Sequence, residues 1–257
     1  MPNALEAEDC SACGTLLPPP VLDGGAAAVP LGEAPSPEPL YGGAAVGEQA
    51  WSEVSGVAWL FLALVAVSVA SFVGVKAGGQ EAQVDLVMTC VSAAAVLVCV
   101  VAARHTVAPL LLTGGGWRGG VAAVAGFATL LAFGAIYFPA IEALGFPLIR
   151  ITDSFVEAGW EPWAVYAIIS AAPAVVEELA FRGYMMARLE RLLTAKEVLL
   201  VQAALFAVLH FGVVIFPSHF FIGVVLGLLR QRTGSLYPGM AVHAAWNAYC
   251  VWGELGS

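Results

Sequence analysis

The chain has 257 residues, of which 60% are hydrophobic and 11% are charged, and its mean hydropathy is +0.86. Soluble domains typically carry about 25% charged residues, so this composition excludes an ordinary soluble protein. We therefore expect an all-α, polytopic transmembrane helical bundle.

The net charge of −9 is concentrated at the N-terminus, because residues 1–50 contain seven acidic residues and no Lys or Arg. Eight of the fifteen prolines also lie in this segment, together with runs of Gly and Ala. Such a composition cannot bury a core and predicts a disordered acidic tail over residues 1–50. The tail lacks the basic start and apolar segment of a signal peptide.

Within the tail, Cys10 and Cys13 form a single C-x-x-C motif. This motif supplies two of the four ligands that a structural zinc ion needs, and the sequence contains no second pair. A metal or redox role, completed in a dimer, and an inert tail both remain open.

After the tail, the sequence alternates between apolar stretches and short polar or glycine-rich connections. A membrane-spanning helix needs about 20 mostly apolar residues. We divide the chain into two N-terminal transmembrane helices with a loop, residues 51–119, and a C-terminal helical bundle, residues 120–257. About seven spans are predicted, over residues 54–75, 84–103, 121–141, 163–193, 198–211, 213–229 and 237–252.

The basic residues of the connecting loops predict the orientation of these spans. Seven loop cations fall on the side of the N-terminal tail and two on the opposite side. The positive-inside rule then places the N-terminus in the cytoplasm and the C-terminus outside.

The fourth predicted span carries two adjacent carboxylates, Glu177 and Glu178, where charge is expensive. On a helix, Glu178 and Arg182 are four residues apart and can pair, and we expect this pair to orient Glu177 and fix the helix. Glu177 itself is rotated by about 100° from Glu178 and has no local cation. These features make Glu177 the candidate general base. Pro173 is expected to kink the helix just before the acids and to open space for water.

Two later spans each carry polar groups at helical spacing: His210, and His243 with Asn247. At 1.5 Å per residue, Glu178, His210 and His243 lie about 15, 21 and 12 Å from the cytoplasmic end of their spans. Such a shared depth is typical of one buried site. His243 and Asn247 can both donate to a developing oxyanion, as acyl transfer requires. The same groups could instead bind a polar substrate or ion, which leaves a transporter open. His219 is expected near the outer face, away from this site.

At these residues the sequence resembles the CPBP family, the CAAX-protease and bacteriocin-processing family of intramembrane endopeptidases. The resemblance covers about residues 120–253 and includes a Gly-rich stretch and linker before the last motif. The motifs that carry it are Glu177-Glu178-x-x-x-Arg182, Phe206-x-x-x-His210 and His243-x-x-x-Asn247, with Gly223, Gly227 and Thr233-Gly234-Ser235-Leu236 between the last two.

The resemblance implies an intramembrane endopeptidase similar to CAAX prenyl proteases, which processes the C-terminus or leader of a membrane-anchored protein or peptide. By similarity, Glu177 and His210 would activate the attacking water, and His243 with Asn247 would hold the oxyanion. We expect no required cofactor, although Glu177, His210 and His243 could supply a His₂Glu zinc site.

The expected partners are the substrate and the lipid bilayer, with no nucleic acid, and the expected location is a bacterial inner membrane. A non-catalytic membrane protein, such as a transporter, a bacteriocin-immunity protein or a scaffold, is the alternative. An intact set of polar residues argues against a degenerate scaffold.

Overall fold

All regular secondary structure in the described part of the chain is helical. The computed structural model describes residues 44–147 and 150–256, and no strand occurs within these ranges. The predicted all-α class is therefore confirmed for them. The predictions for Cys10, Cys13 and residues 1–43 of the N-terminal tail lie outside the described residues. Residues 44–50, which we predicted as the end of the disordered tail, are helical and begin the helix Ala44–Lys76.

Nine helices follow one another in these ranges, joined by short turns. Gly78, Gly115 and Gly234 have positive φ in three of these connections, where a residue with a β-carbon would be strained. The helices are α1 (Ala44–Lys76), α2 (Glu81–Ala102), α3 (Arg104–Leu112), α4 (Gly116–Ala143), α5 (Asp153–Glu157), α6 (Pro162–Leu189), α7 (Ala195–Leu209), α8 (Phe216–Thr233) and α9 (Tyr237–Leu255).

Four of these helices are long and apolar enough to cross a membrane: α1 from Gly47, α2, α4 and α6. The last three predicted spans overlap α7, α8 and α9, which are helical but are not among the helices that are long and apolar enough to cross a membrane. With 15 residues, α7 is shorter than the roughly 20 residues that a bilayer core requires. The structure thus supports a membrane protein with four candidate spans, and the number seven stays a prediction.

Helix α6 is irregular in two segments, one before its acidic pair and one that begins at Glu178. The segments Ala167–Ala171 and Glu178–Met185 have the wider π-helical turn, and an α-helical segment, Ala172–Glu177, lies between them. Pro173 is the second residue after the first wide segment, and a proline clashes with the carbonyl group four residues earlier unless the helix widens or bends. The wide turns set the direction in which the two acids leave the helix.

The apolar core lies where α6 meets α7, α8 and α9. Helices α7 and α8 approach each other closely at Gly223. A β-carbon added at this glycine would lie only 2.9 Å from the Cα of Ala203. This close approach brings the end of α7 and the start of α8 against the turn of α6 that carries Glu177 and Glu178. Residues buried in this core include Phe181, Met185, Phe206, Leu226 and Val242.

Helix α1 is attached to the far end of α6 by charge. The buried Glu53 accepts hydrogen bonds from Arg188, at 2.8 Å, and from Arg191. Because one carboxylate bridges two arginines, α1 is fixed against α6, and the α1–α2 pair becomes one wall beside the site.

Candidate active site

A buried ion pair forms the base of the site. The Nη1 of Arg182 donates to the Oε1 of Glu178 at 2.9 Å, and both side chains are fully buried. The Nη2 of Arg182 donates to the carbonyl oxygen of Gly223 at 3.1 Å, and its guanidinium lies 4.6 Å from the ring centre of Phe206. The structure thus contains the pair that the four-residue spacing predicts, and it also attaches that pair to α7 and α8.

Glu178 makes a second contact, with the buried His243 of α9. The Nδ1 of His243 lies 3.2 Å from the Oε1 of Glu178. A carboxylate can only accept, so the hydrogen is on Nδ1, and Nε2 faces the neighbouring Glu177, 3.7 Å from its Oε2. We expected Glu178 to orient Glu177, but the structure has Glu178 orient His243 instead.

Glu177 carries a buried oxygen for which the described residues offer no hydrogen-bond donor. Its side chain is 23% exposed, yet its Oε2 is buried and accepts no hydrogen bond from the described residues. A buried oxygen without a donor is costly, which suits a position where a water molecule or substrate binds. The Oε2 of Glu178 also lacks a described donor, but its Oε1 is shared by Arg182 and His243. Glu177 has no such bonded partner and is therefore the acid that is free to accept a proton.

His210 follows the last residue of α7 and has a defined tautomer. Its Nδ1 lies 2.8 Å from the carbonyl oxygen of Phe206, which accepts hydrogen bonds and cannot donate them. The hydrogen therefore sits on Nδ1, and Nε2 keeps a lone pair that can accept a proton.

A third histidine, His219, belongs to the same group. Its ring centre lies 3.9 Å from that of His210, and its Nδ1 lies 3.0 Å from the carbonyl oxygen of Ile215. We expected His219 near the outer face and away from the site. His219 lies in the first turn of α8, only nine residues after His210. The short connection between α7 and α8 brings that turn beside His210, and this short spacing is the sequence feature that could have predicted the contact.

Asn247 is already engaged by α6. Its Nδ2 donates to the carbonyl oxygen of Ile169 at 3.2 Å. Pro173, four residues later, has no N–H that could bond this oxygen, and Asn247 donates to it from α9. The second amide hydrogen of Asn247 remains for another acceptor.

Five of these side chains line one cavity of about 220 Å³: Glu177, His210, His219, His243 and Asn247. Glu177 also lines a second and larger cavity of about 430 Å³ on the side of α1 and α2. The candidate base therefore stands at the junction of a histidine-lined cavity and a wider one.

The expected zinc ligands are not arranged in the geometry of a metal site. Within residues 44–147 and 150–256, no group of three or more His, Cys, Asp or Glu side chains is arranged to hold a metal ion. The donor set of Glu177, His210 and His243 would have to move to bind zinc.

These features define a helical membrane protein with a buried glutamate–histidine site. Residues 159–249 match the family model described as type II CAAX prenyl endopeptidase Rce1-like, which confirms over these residues the predicted resemblance to the CAAX-protease family. The matched segment is about a third of the chain; it contains all the residues of the site, while α1–α5 lie outside it. Neither a curated protein nor a solved structure matches the chain at a significant level.

Proposed function

We propose that the protein is an intramembrane endopeptidase that hydrolyses a peptide bond of a membrane-associated protein or peptide. The observation that carries the proposal is Glu177, whose free carboxylate oxygen shares a cavity with His210 and His243. The match to a CAAX endopeptidase family over the segment that holds these residues supports the same reaction class.

In the proposed reaction, Glu177 takes a proton from water while the Nε2 of His210 orients that water by accepting its other hydrogen. The water oxygen bonds to the carbonyl carbon of the substrate. The resulting oxyanion is stabilised by the Nε2 of His243, when protonated, and by the second amide hydrogen of Asn247. Glu177 then passes its proton to the leaving amine as the C–N bond breaks.

Glu178 and Arg182 support this reaction without touching the substrate. Glu178 holds the Nδ1–H of His243, and Arg182 holds Glu178. Such a carboxylate–histidine contact fixes the tautomer and the direction of the imidazole, as in the triads of serine hydrolases.

The proposed reaction uses no metal ion, because Glu177 and His210 activate the water and His243 with Asn247 stabilises the oxyanion. A metal chelator should leave the cleavage rate of the purified protein unchanged. A loss of activity that added zinc restores would overturn this part of the proposal.

The direct test compares membranes from cells with the wild-type protein and with Glu177→Gln, by mass spectrometry of protein termini. Glu157→Gln, at the exposed end of α5, is the matched control. Termini that appear with the wild type and the control, but not with Glu177→Gln, would support the protease. Identical termini in all three would overturn it in favour of a non-catalytic membrane protein.

We also propose a bacterial inner-membrane location with the N-terminus in the cytoplasm. The support is the excess of loop cations on one side, counted over seven spans. Labelling of single cysteines in intact cells tests it, and a tail that is labelled from outside would reverse the orientation.

A further inference from the structure

The larger cavity beside Glu177 is lined on one side by α1 and α2, two helices that the family match does not include. Its 430 Å³ lie between α1, α2 and α6, next to the histidine-lined cavity. Volumes of this size are typical of sites that enclose a small molecule or a short peptide segment. Since Glu177 lines both cavities, whatever fills the larger one lies directly beside the candidate base.

The α2 wall of this cavity is polar along one helical face. Asp85, Thr89 and Ser92 recur at spacings of four and three residues and all line the cavity. From α1, the Oγ of Ser71 donates to the Oδ1 of Asp85 at 2.9 Å. Polar and ionisable groups on an intramembrane face usually mark a path for a substrate or an ion.

The charges of the cavity have one sign. Among the described residues that line it, Asp85 and Glu177 are carboxylates and none is Lys, Arg or His. No cation of the described residues lies within ion-pair distance of Asp85, although Ser71 donates to it. A cavity with two carboxylates and no basic group in its described lining attracts a positive group and disfavours a negative one.

We propose, resting on the proposed function, that this cavity holds the substrate segment beside the scissile bond and that Asp85 binds a Lys or Arg side chain of that segment. Asp85 lies about 6 Å into α2, one turn from its start, so the basic residue would enter from that end of the helix pair. Ser71 holds one oxygen of Asp85 and leaves the second for the cation. Recognition thus comes from α1 and α2, and the chemistry comes from α6–α9.

The experiment begins with the termini that depend on Glu177, identified as described for the proposed function. A peptide spanning one such site is then prepared in two forms, with its Lys or Arg or with Gln at that position. Cleavage of both forms is measured with the purified full-length wild type, Asp85→Asn and Glu81→Gln. Glu81 is an exposed acid in the first turn of the same helix and is absent from the cavity wall, so it is the matched control.

We expect the processed segments to share a Lys or Arg at a fixed distance from the cleaved bond. Asp85→Asn should lower kcat/KM for the basic peptide by about 10-fold or more, mostly through KM, and leave the Gln peptide nearly unchanged. Glu81→Gln should affect neither peptide.

Three results would overturn the inference while leaving the proposed protease intact. The processed segments could lack a shared basic residue. Asp85→Asn could slow both peptides equally, which would mean that the Ser71 contact serves the fold alone. The effect could also appear only in vesicles of phosphatidylethanolamine and not of phosphatidylglycerol, which would mean that Asp85 binds a lipid amine. If Glu177→Gln changes no terminus, the proposed function itself fails.

Discussion

Replacing Glu178 by Gln should destabilise the protein strongly, because it leaves a buried arginine without its counter-charge. Arg182 and Glu178 are both fully buried and lie 2.9 Å apart. Removing one partner of such a pair typically costs about 3–5 kcal/mol. After Glu178→Gln, Arg182 can still donate to the new amide oxygen and to the carbonyl oxygen of Gly223, but neither acceptor carries a negative charge.

The assay is a double-mutant cycle on the free energy of unfolding, measured in detergent. Glu178→Gln and Arg182→Gln should each be destabilising, and the double variant should be milder than the sum of the two. The control is Glu190→Gln at the partly exposed pair of Glu190 and Arg230, where about 1 kcal/mol or less is expected. Additive effects within the Glu178–Arg182 cycle would refute the argument that the two charges act as one buried unit.

Replacing the neighbouring acid, Glu177, is the second part of the same experiment. Glu177→Gln should leave the free energy of unfolding within about 1 kcal/mol, because no described donor bonds its Oε2. It should nevertheless lower cleavage by about 100-fold or more, the usual effect of losing a general base. A stable but inactive Glu178→Gln, together with an active Glu177→Gln, would reverse the two roles.

Three further changes test the packing and the tail. Asn247→Ala should lower the free energy of unfolding by about 1–3 kcal/mol in the wild type. The loss should be clearly smaller in a Pro173→Ala background, where a backbone N–H returns, and equal losses in an unfolding assay would contradict this. Gly223→Ala should cost about 1–3 kcal/mol because α7 leaves no room, whereas Gly253→Ala, which meets no atom within 4 Å, should be nearly neutral in thermal unfolding. Deleting residues 2–48 should leave the melting temperature unchanged, since the acidic, proline-rich composition offers no core; a large fall would show that the tail supports the fold.

The sequence by itself determined the class of the protein and the local chemistry of its helices. Mean hydropathy and charge alone excluded a soluble domain, and helical spacing alone predicted that Glu178 and Arg182 pair. Both inferences succeeded because they depend on composition or on neighbours within one helix, where the 3.6-residue period fixes which side chains meet. The order of the three polar motifs also sufficed for the resemblance that the family match confirms over residues 159–249.

The tertiary structure decided which groups meet across helices. Glu178 contacts His243 rather than serving Glu177, and Asn247 bonds the Ile169 carbonyl that Pro173 leaves without its usual donor. His219 stacks on His210. These contacts depend on how far each helix is rotated and shifted against its neighbour, and close approach at glycines such as Gly223 and the wide turns of α6 set that packing. The cavity beside α1 and α2 has the same origin, because a polar face in the sequence does not reveal which helix it will face.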